Sequence, residues 1–271
     1  MQFWQSVILA IVEGFTEYLP VSSTGHIIVA SSLMGINSLE FTKDFTVIVQ
    51  FGAILSVLVL YWRKFFKDFN QDKISFYLKL FVAFLPAAIL GLALSKIIDR
   101  ALGSVQTVAI SFIIGGVVLL FVDRVFRKNT ATSSELSEPP NLSYIDSIVI
   151  GLFQCLALCP GVSRSAATII GGLQRKMSRK DAAEFSFFLA VPTLTAATLY
   201  KVAKIYKHIE PHQVSILLVG NLVSFFVGML TIRIFIQYLT RHGFKVFGIY
   251  RILLGVIILL LLYFGHDMQF V

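Results

Sequence analysis

The sequence predicts an all-α polytopic membrane protein built as two inverted-topology repeats, each with one re-entrant helical hairpin and three transmembrane helices. Three observations carry that prediction. The 271 residues are 56% hydrophobic and only 14% charged, too few charges to coat a soluble globule of this size; mean hydropathy is +0.81. Six apolar runs approach the length that a helix needs to cross hydrocarbon, about 20 residues. Two further apolar segments are interrupted at their centres by proline, glycine and hydroxyl residues beside ionisable groups. Backbone broken in this way is tolerated in a bilayer only where protein or water surrounds it.

The first interrupted segment runs from about Phe3 to Ala30 and contains "EGFTEYLPVSSTGH". Spans are predicted at Val47–Trp62, Phe76–Ser95 and Thr107–Val122. A polar linker at about 129–142, "NTATSSELSEPPNL" from Asn129, joins the halves. The second interrupted segment runs from about Ile148 to Leu173 and contains "QCLALCPGVSRSAATIIGG". Spans follow at Ser186–Tyr200, Ser215–Tyr238 and Phe247–Gly265, with "SRKDAAEF" at Ser178–Phe185 opening the first of them at the membrane edge. Pro86 and Pro192 fall inside spans, where neighbouring helices can satisfy the freed backbone. A single membrane domain therefore fills residues 1–271, as repeat 1 at about 1–128 and repeat 2 at about 143–271. "EGFTEYLPVSS" and "QCLALCPGVSR" echo one another, with Glu13 in register with Gln154 and a Val-Ser pair near each end. An odd number of spans per repeat inverts the second half, so the two hairpins enter from opposite faces and meet near mid-membrane. The opening "MQFWQSVILAIVEG" has neither a basic start nor an A-x-A-like cleavage site, so it is expected to remain in the mature protein.

The formal net charge is +8. Basic residues sit in short clusters between apolar runs, which fits anionic headgroups rather than nucleic acid. With the six spans alternating, Arg63, Lys64, Lys67, Lys73, Arg124, Arg127, Lys128, Arg175, Lys176, Arg179, Lys180, Arg241 and Lys245 share one side. Lys43, Lys96, Arg100, Lys201, Lys204 and Lys207 share the other. The positive-inside rule makes the richer side cytoplasmic and places both termini outside. Cys155 and Cys159, with no Cys or His cluster near them, read as small core side chains.

Polar residues within the interruptions point to chemistry. Glu13 and Glu17, four apart, share a helical face. Paired carboxylates in a membrane suit an acid and base pair or a divalent-metal clamp; the structural alternative is an ion pair with a distant arginine. In "PVSSTGH", Ser22, Ser23 and Thr24 offer hydroxyls and His26 an imidazole, around a turn whose N–H groups can cradle an anion. In "PGVSRSAAT", Arg164 stands between Ser163 and Ser165, with Thr168 one turn on. A guanidinium fork matches phosphate oxygens. Arg233, Arg251, Gln50 and Gln154 lie in apolar runs, and either line the cavity or, for the arginines, snorkel to an interface; none is assigned a catalytic part. Hairpins placed tip to tip suit phosphoryl transfer from a lipid-borne phosphate. No P-loop is present, so nucleotide use is not indicated. A transporter that carries an anion on the same groups is the rival reading.

At these residues the chain resembles the BacA-type undecaprenyl pyrophosphate phosphatases of bacteria. "EGFTEYLPVSSTGH" reads as the family's first motif and "PGVSRSAAT" as its second; "DFTVIVQFGAILSVLVLYW" and "FGIYRILLG" are similar to further family segments. The resemblance covers essentially the whole chain. It implies an integral enzyme of the bacterial cytoplasmic membrane that removes the terminal phosphate of undecaprenyl pyrophosphate. The carrier lipid is thereby recycled for peptidoglycan and other wall polymers, and bacitracin resistance follows. The resemblance further implies two inverted repeats, an active site open to the extracytoplasmic side, and a divalent ion, Mg2+ or Ca2+. Carried over, Glu13 and Glu17 are the acidic pair and candidate metal ligands. Ser23 is the attacking hydroxyl or water organiser, with Glu17 or His26 as base. Arg164 grips the pyrophosphate, helped by Ser163 and Thr168. Ser22, Thr24 and Ser165 complete the expected substrate contacts, and assembly into a homo-oligomer is left open.

Overall fold

The structure, a computed structural model, describes residues 1–67, 70–102, 104–126 and 142–265. Apart from Leu142, the predicted linker lies outside the described residues. The first half comprises α1 (Phe3–Thr16), α2 (Ser23–Leu33), α3 (Glu40–Ile48), α4 (Gln50–Leu60), α5 (Trp62–Phe66), α6 (Gln71–Ala93), α7 (Ser95–Leu102) and α8 (Val105–Val125). The second half comprises α9 (Tyr144–Cys155), α10 (Arg164–Gln174), α11 (Arg179–Ile205), α12 (Pro211–Arg241) and α13 (Lys245–Tyr263). Six helical stretches are long and apolar enough to cross a membrane: Glu40–Leu60, Gln71–Ala93, Val105–Val125, Arg179–Ile205, Pro211–Arg241 and Lys245–Tyr263. They coincide with the six predicted spans. The first begins earlier than predicted, because α3 and α4 run on through Val49.

Both interrupted segments are helix–break–helix units. α1 shows why the first turns its polar residues inward. Trp4, Ile8, Ile11 and Phe15 are exposed along one face, as lipid-facing side chains are, while Ser6, Leu9, Ala10, Glu13 and Gly14 are buried along the other. α12 packs against that face, while its buried Gly220 and Gly228 meet Phe45 of α3 and Ser56 of α4. A β-carbon on Gly14 would lie 2.7 Å from the Ser224 carbonyl oxygen, so the two backbones approach as small residues allow in membranes. α9 packs on α6 as α1 packs on α12, and α8 packs on α13. The contacts are thus reciprocal between the halves. α11 is pinned at both ends, by Arg179 to Asp123 at 2.6 Å and by Lys201 to Asp44 at 2.5 Å. Ser178 caps its start by accepting from the Asp181 N–H, where the sequence placed the helix opening.

The cysteines depart from expectation. A short 3₁₀ turn at Leu156–Leu158 separates them, and Cys159 is exposed rather than packed in the core.

Candidate active site

The breaks end in the same unusual backbone. Ser22 immediately precedes α2 with φ 70° and ψ 96°. Ser163 immediately precedes α10 with φ 77° and ψ 114°. A positive φ in a side-chain-bearing residue costs on the order of 1–3 kcal/mol and persists only where the surroundings enforce it. Here it aims the N-termini of two helices, and the residues that open them, into one cavity of about 570 Å³. Glu17, Ser22, Ser23, Thr24, Ser163 and Arg164 line its polar end together with Gln50, Gln154 and Thr193. Converging helix N-termini, with free N–H groups and positive dipole ends, favour an anion. Phe84, Ala87, Ala88, Gly91 and Leu92 of α6 and Leu194, Ala196 and Ala197 of α11 line the rest, so an apolar trough continues from the polar end.

Glu17 joins the two loops. Its Oε1 accepts from Arg164 Nε at 3.2 Å and Nη2 at 3.1 Å, and its Oε2 accepts from Ser23 Oγ at 2.5 Å. The third guanidinium nitrogen, Nη1, donates to the Ser186 carbonyl of α11 at 2.9 Å. Arg164 is therefore held planar between a carboxylate and a backbone oxygen, with one edge toward the cavity it lines. Thr168 and Ser165 support this arrangement from outside the cavity. Thr168 Oγ1 bonds Ser186 Oγ at 2.7 Å, and Ser165 Oγ donates to the Tyr18 carbonyl at 2.8 Å. Both are about 1% exposed and neither lines the cavity, so their hydroxyls are spent on the protein rather than facing a substrate.

Glu13 is fully buried, and neither carboxyl oxygen has a hydrogen-bond partner among the described residues. Its backbone carbonyl accepts from the Glu17 N–H at 2.9 Å, one helical turn on. An ionised carboxylate so enclosed needs a proton or a cation beside it. Hard oxygen donors of this type fit Mg2+ or Ca2+, for which Glu13 and Glu17 are the available carboxylates. Among the described residues no third His, Cys, Asp or Glu joins them. Further ligands would come from phosphate oxygens and water, as Mg2+ usually takes them.

His26 stands apart from the Glu17, Ser23 and Arg164 cluster. Its Nδ1 lies 2.7 Å from the Ser22 carbonyl oxygen and its Nε2 lies 2.6 Å from the Tyr250 hydroxyl. A carbonyl only accepts, so Nδ1 carries the hydrogen, and in the neutral ring Nε2 then accepts from Tyr250. The ring is stacked on Tyr250 and edge-on to Phe112, and it does not line the cavity.

The residue next to Tyr250 is one of the four that the sequence left without a catalytic part. Arg251 is fully buried and donates to backbone carbonyls of both loops: Pro20 at 3.1 Å, Val162 at 2.9 Å and Gly161 at 2.9 Å. A fourth bond goes to the Ser111 carbonyl of α8 at 3.0 Å. Pro20 and Gly161 occupy equivalent places in the two breaks. Arg251 thus ties the loops together at their junction, over the Phe112 ring at 5.6 Å. Gly115 makes room, since a β-carbon there would fall 2.1 Å from Arg251 Nη2. Arg233, by contrast, lies on an exposed surface of α12, in a groove with Tyr61 and Gln237.

Comparison with known proteins identifies the family. The profile of the family described as Bacitracin resistance protein BacA matches residues 6–257. The chain is 56% identical over 271 residues to a protein of Bdellovibrio bacteriovorus named undecaprenyl-diphosphatase, with 100% of both chains covered. It is 51% identical over 274 residues to one so named from Flavobacterium johnsoniae, again covering 100% of both. It is 40% identical over 258 residues to one from Aquifex aeolicus, covering 95% of this chain and 97% of that protein.

Proposed function

The chain belongs to the bacitracin resistance protein BacA family, and on that premise we propose that it hydrolyses undecaprenyl pyrophosphate to undecaprenyl phosphate and inorganic phosphate. The product is the carrier lipid recycled for cell-wall polymers, and the activity confers bacitracin resistance by depleting the pyrophosphate form. The observation that carries the reading is Glu17, bonded at once to the Ser23 hydroxyl and to Arg164 at the polar end of an amphiphilic cavity. The diphosphate sits at the converging N-termini of α2 and α10, where N–H groups and Arg164 offset its charge. The isoprenoid lies in the apolar trough between α6 and α11.

Ser23 Oγ attacks the terminal phosphorus as its proton passes to Glu17 Oε2. The bond from that phosphorus to the bridging oxygen breaks as Glu17 passes the proton on to that oxygen, and undecaprenyl phosphate leaves. Water then attacks the phosphoserine with Glu17 taking its proton, and inorganic phosphate departs as Ser23 regains one. Glu17 rather than His26 is the base, because Ser23 already donates to it while both His26 nitrogens are engaged elsewhere. Glu13 and Glu17 would hold the divalent ion, which supplies charge neutralisation at the phosphates when bound. By the positive-inside rule the cavity opens to the extracytoplasmic side of the cytoplasmic membrane, with both termini outside and the two halves inverted. The matched serines before α2 and α10 and the reciprocal packing support that symmetry.

The purified protein in sealed vesicles, supplied with undecaprenyl pyrophosphate, separates this reading from the transport one. Release of inorganic phosphate is expected. Movement of intact lipid pyrophosphate across the vesicle without release would replace the enzyme with a carrier.

A further inference from the structure

The anion that the proposed reaction brings into the cavity meets a guanidinium already engaged by Glu17 and Ser186, and a carboxylate of its own sign. A donor outside both predicted motifs stands in the same wall. Gln154, in the last turn of α9, is 2% exposed and lines the cavity with Glu17, Ser23 and Arg164. Its Oε1 accepts from Thr193 Oγ1 of α11 at 3.3 Å, and its Nε2 has no partner. Turning the amide over does not remove the orphan. With the amide turned, Thr193 Oγ1 gives its hydrogen to the Leu189 carbonyl at 2.8 Å and accepts only one of the two Nε2 hydrogens. Either way an amide N–H is left unpaired in a buried place, which is unfavourable unless a ligand takes it. A neutral donor also suits a site that already holds two carboxylates and an arginine, because it binds an anion without burying another charge. In register with Glu13, Gln154 gives the second loop a donor where the first has acceptors.

We propose that Gln154 is a substrate-binding residue whose Nε2–H donates to a non-bridging oxygen of the lipid diphosphate. This rests on the phosphohydrolase reading above. The full-length protein in lipid nanodiscs is titrated with the non-hydrolysable methylene-diphosphonate analogue of undecaprenyl pyrophosphate, and turnover of the natural lipid is measured in parallel. Gln154→Met, which keeps the length and removes the donor, should weaken analogue binding about tenfold, the effect of one hydrogen bond to a charged group. KM should rise similarly while kcat changes by less than about threefold. Gln154→Glu, isosteric but anionic, should weaken binding by more than about a hundredfold. Analogue affinity within about twofold of wild type in both variants would overturn the assignment. So would a fall in kcat alone. A wild-type protein that neither binds the analogue nor releases phosphate would overturn the phosphohydrolase reading and this proposal with it.

Discussion

Arg164 and Glu17 hold each other across the meeting point of the two loops, 147 positions apart in sequence. The Glu17 side of that pair also holds Ser23, so each residue has a distinct expected signature. Arg164→Ala should lower kcat/KM at least about tenfold, a loss of about 1.4 kcal/mol or more at the transition state. Arg164→Lys should recover little, because an ammonium cannot bridge Glu17 and the Ser186 carbonyl as the planar fork does. Glu17→Gln should cost more than about a hundredfold with the fold retained, being the loss of a base. His26→Gln and Tyr250→Phe should each cost less, and the double variant no more than the worse single, since the two groups act through one bond. A His26→Gln loss as deep as that of Glu17→Gln, with Tyr250→Phe silent, would move the base to His26. The motifs themselves were legible, because ionisable and hydroxyl residues in an apolar run have few innocent explanations. The direction of His26 was not, for its partner Tyr250 lies 224 positions away and neither motif contains it.

At the scale of elements, the loops are shaped by α13. Arg251 supplies bonds to carbonyls of both breaks and of α8, with no carboxylate among its hydrogen-bond partners. The strained serines beside those carbonyls depend on it. Arg251→Met should therefore lower stability by about 3 kcal/mol or more, since it orphans several buried carbonyls at once. It should also reduce kcat through the displaced loops. Thermal unfolding in detergent measures the first and turnover the second; an unchanged Tm would remove the tie. A single arginine in "FGIYRILLG" reads equally well as a residue reaching the headgroups, and only tertiary packing decides. The broken hairpins were legible from Pro, Gly and hydroxyl residues between apolar arms. The exposed position of Cys159 was not, because the 3₁₀ turn that rotates it leaves no local signature.

For the whole molecule, hydrophobic run length alone placed the six spans, as the bilayer constrains length more tightly than a soluble core does. The orientation makes its own prediction. In a background with Cys155 and Cys159 replaced by serine, an impermeant thiol reagent applied to intact cells should label Lys207→Cys and spare Lys245→Cys; the reverse pattern would invert the protein. On the proposed reading, two loops from opposite halves make one phosphohydrolase site. Its most direct test is inorganic phosphate release from undecaprenyl pyrophosphate by the purified protein, compared with Glu17→Gln in the first loop and Arg164→Ala in the second. Release by the wild type, with deep losses in both variants of native Tm, is the expected result. Wild-type release that persists undiminished when either loop is altered would contradict it.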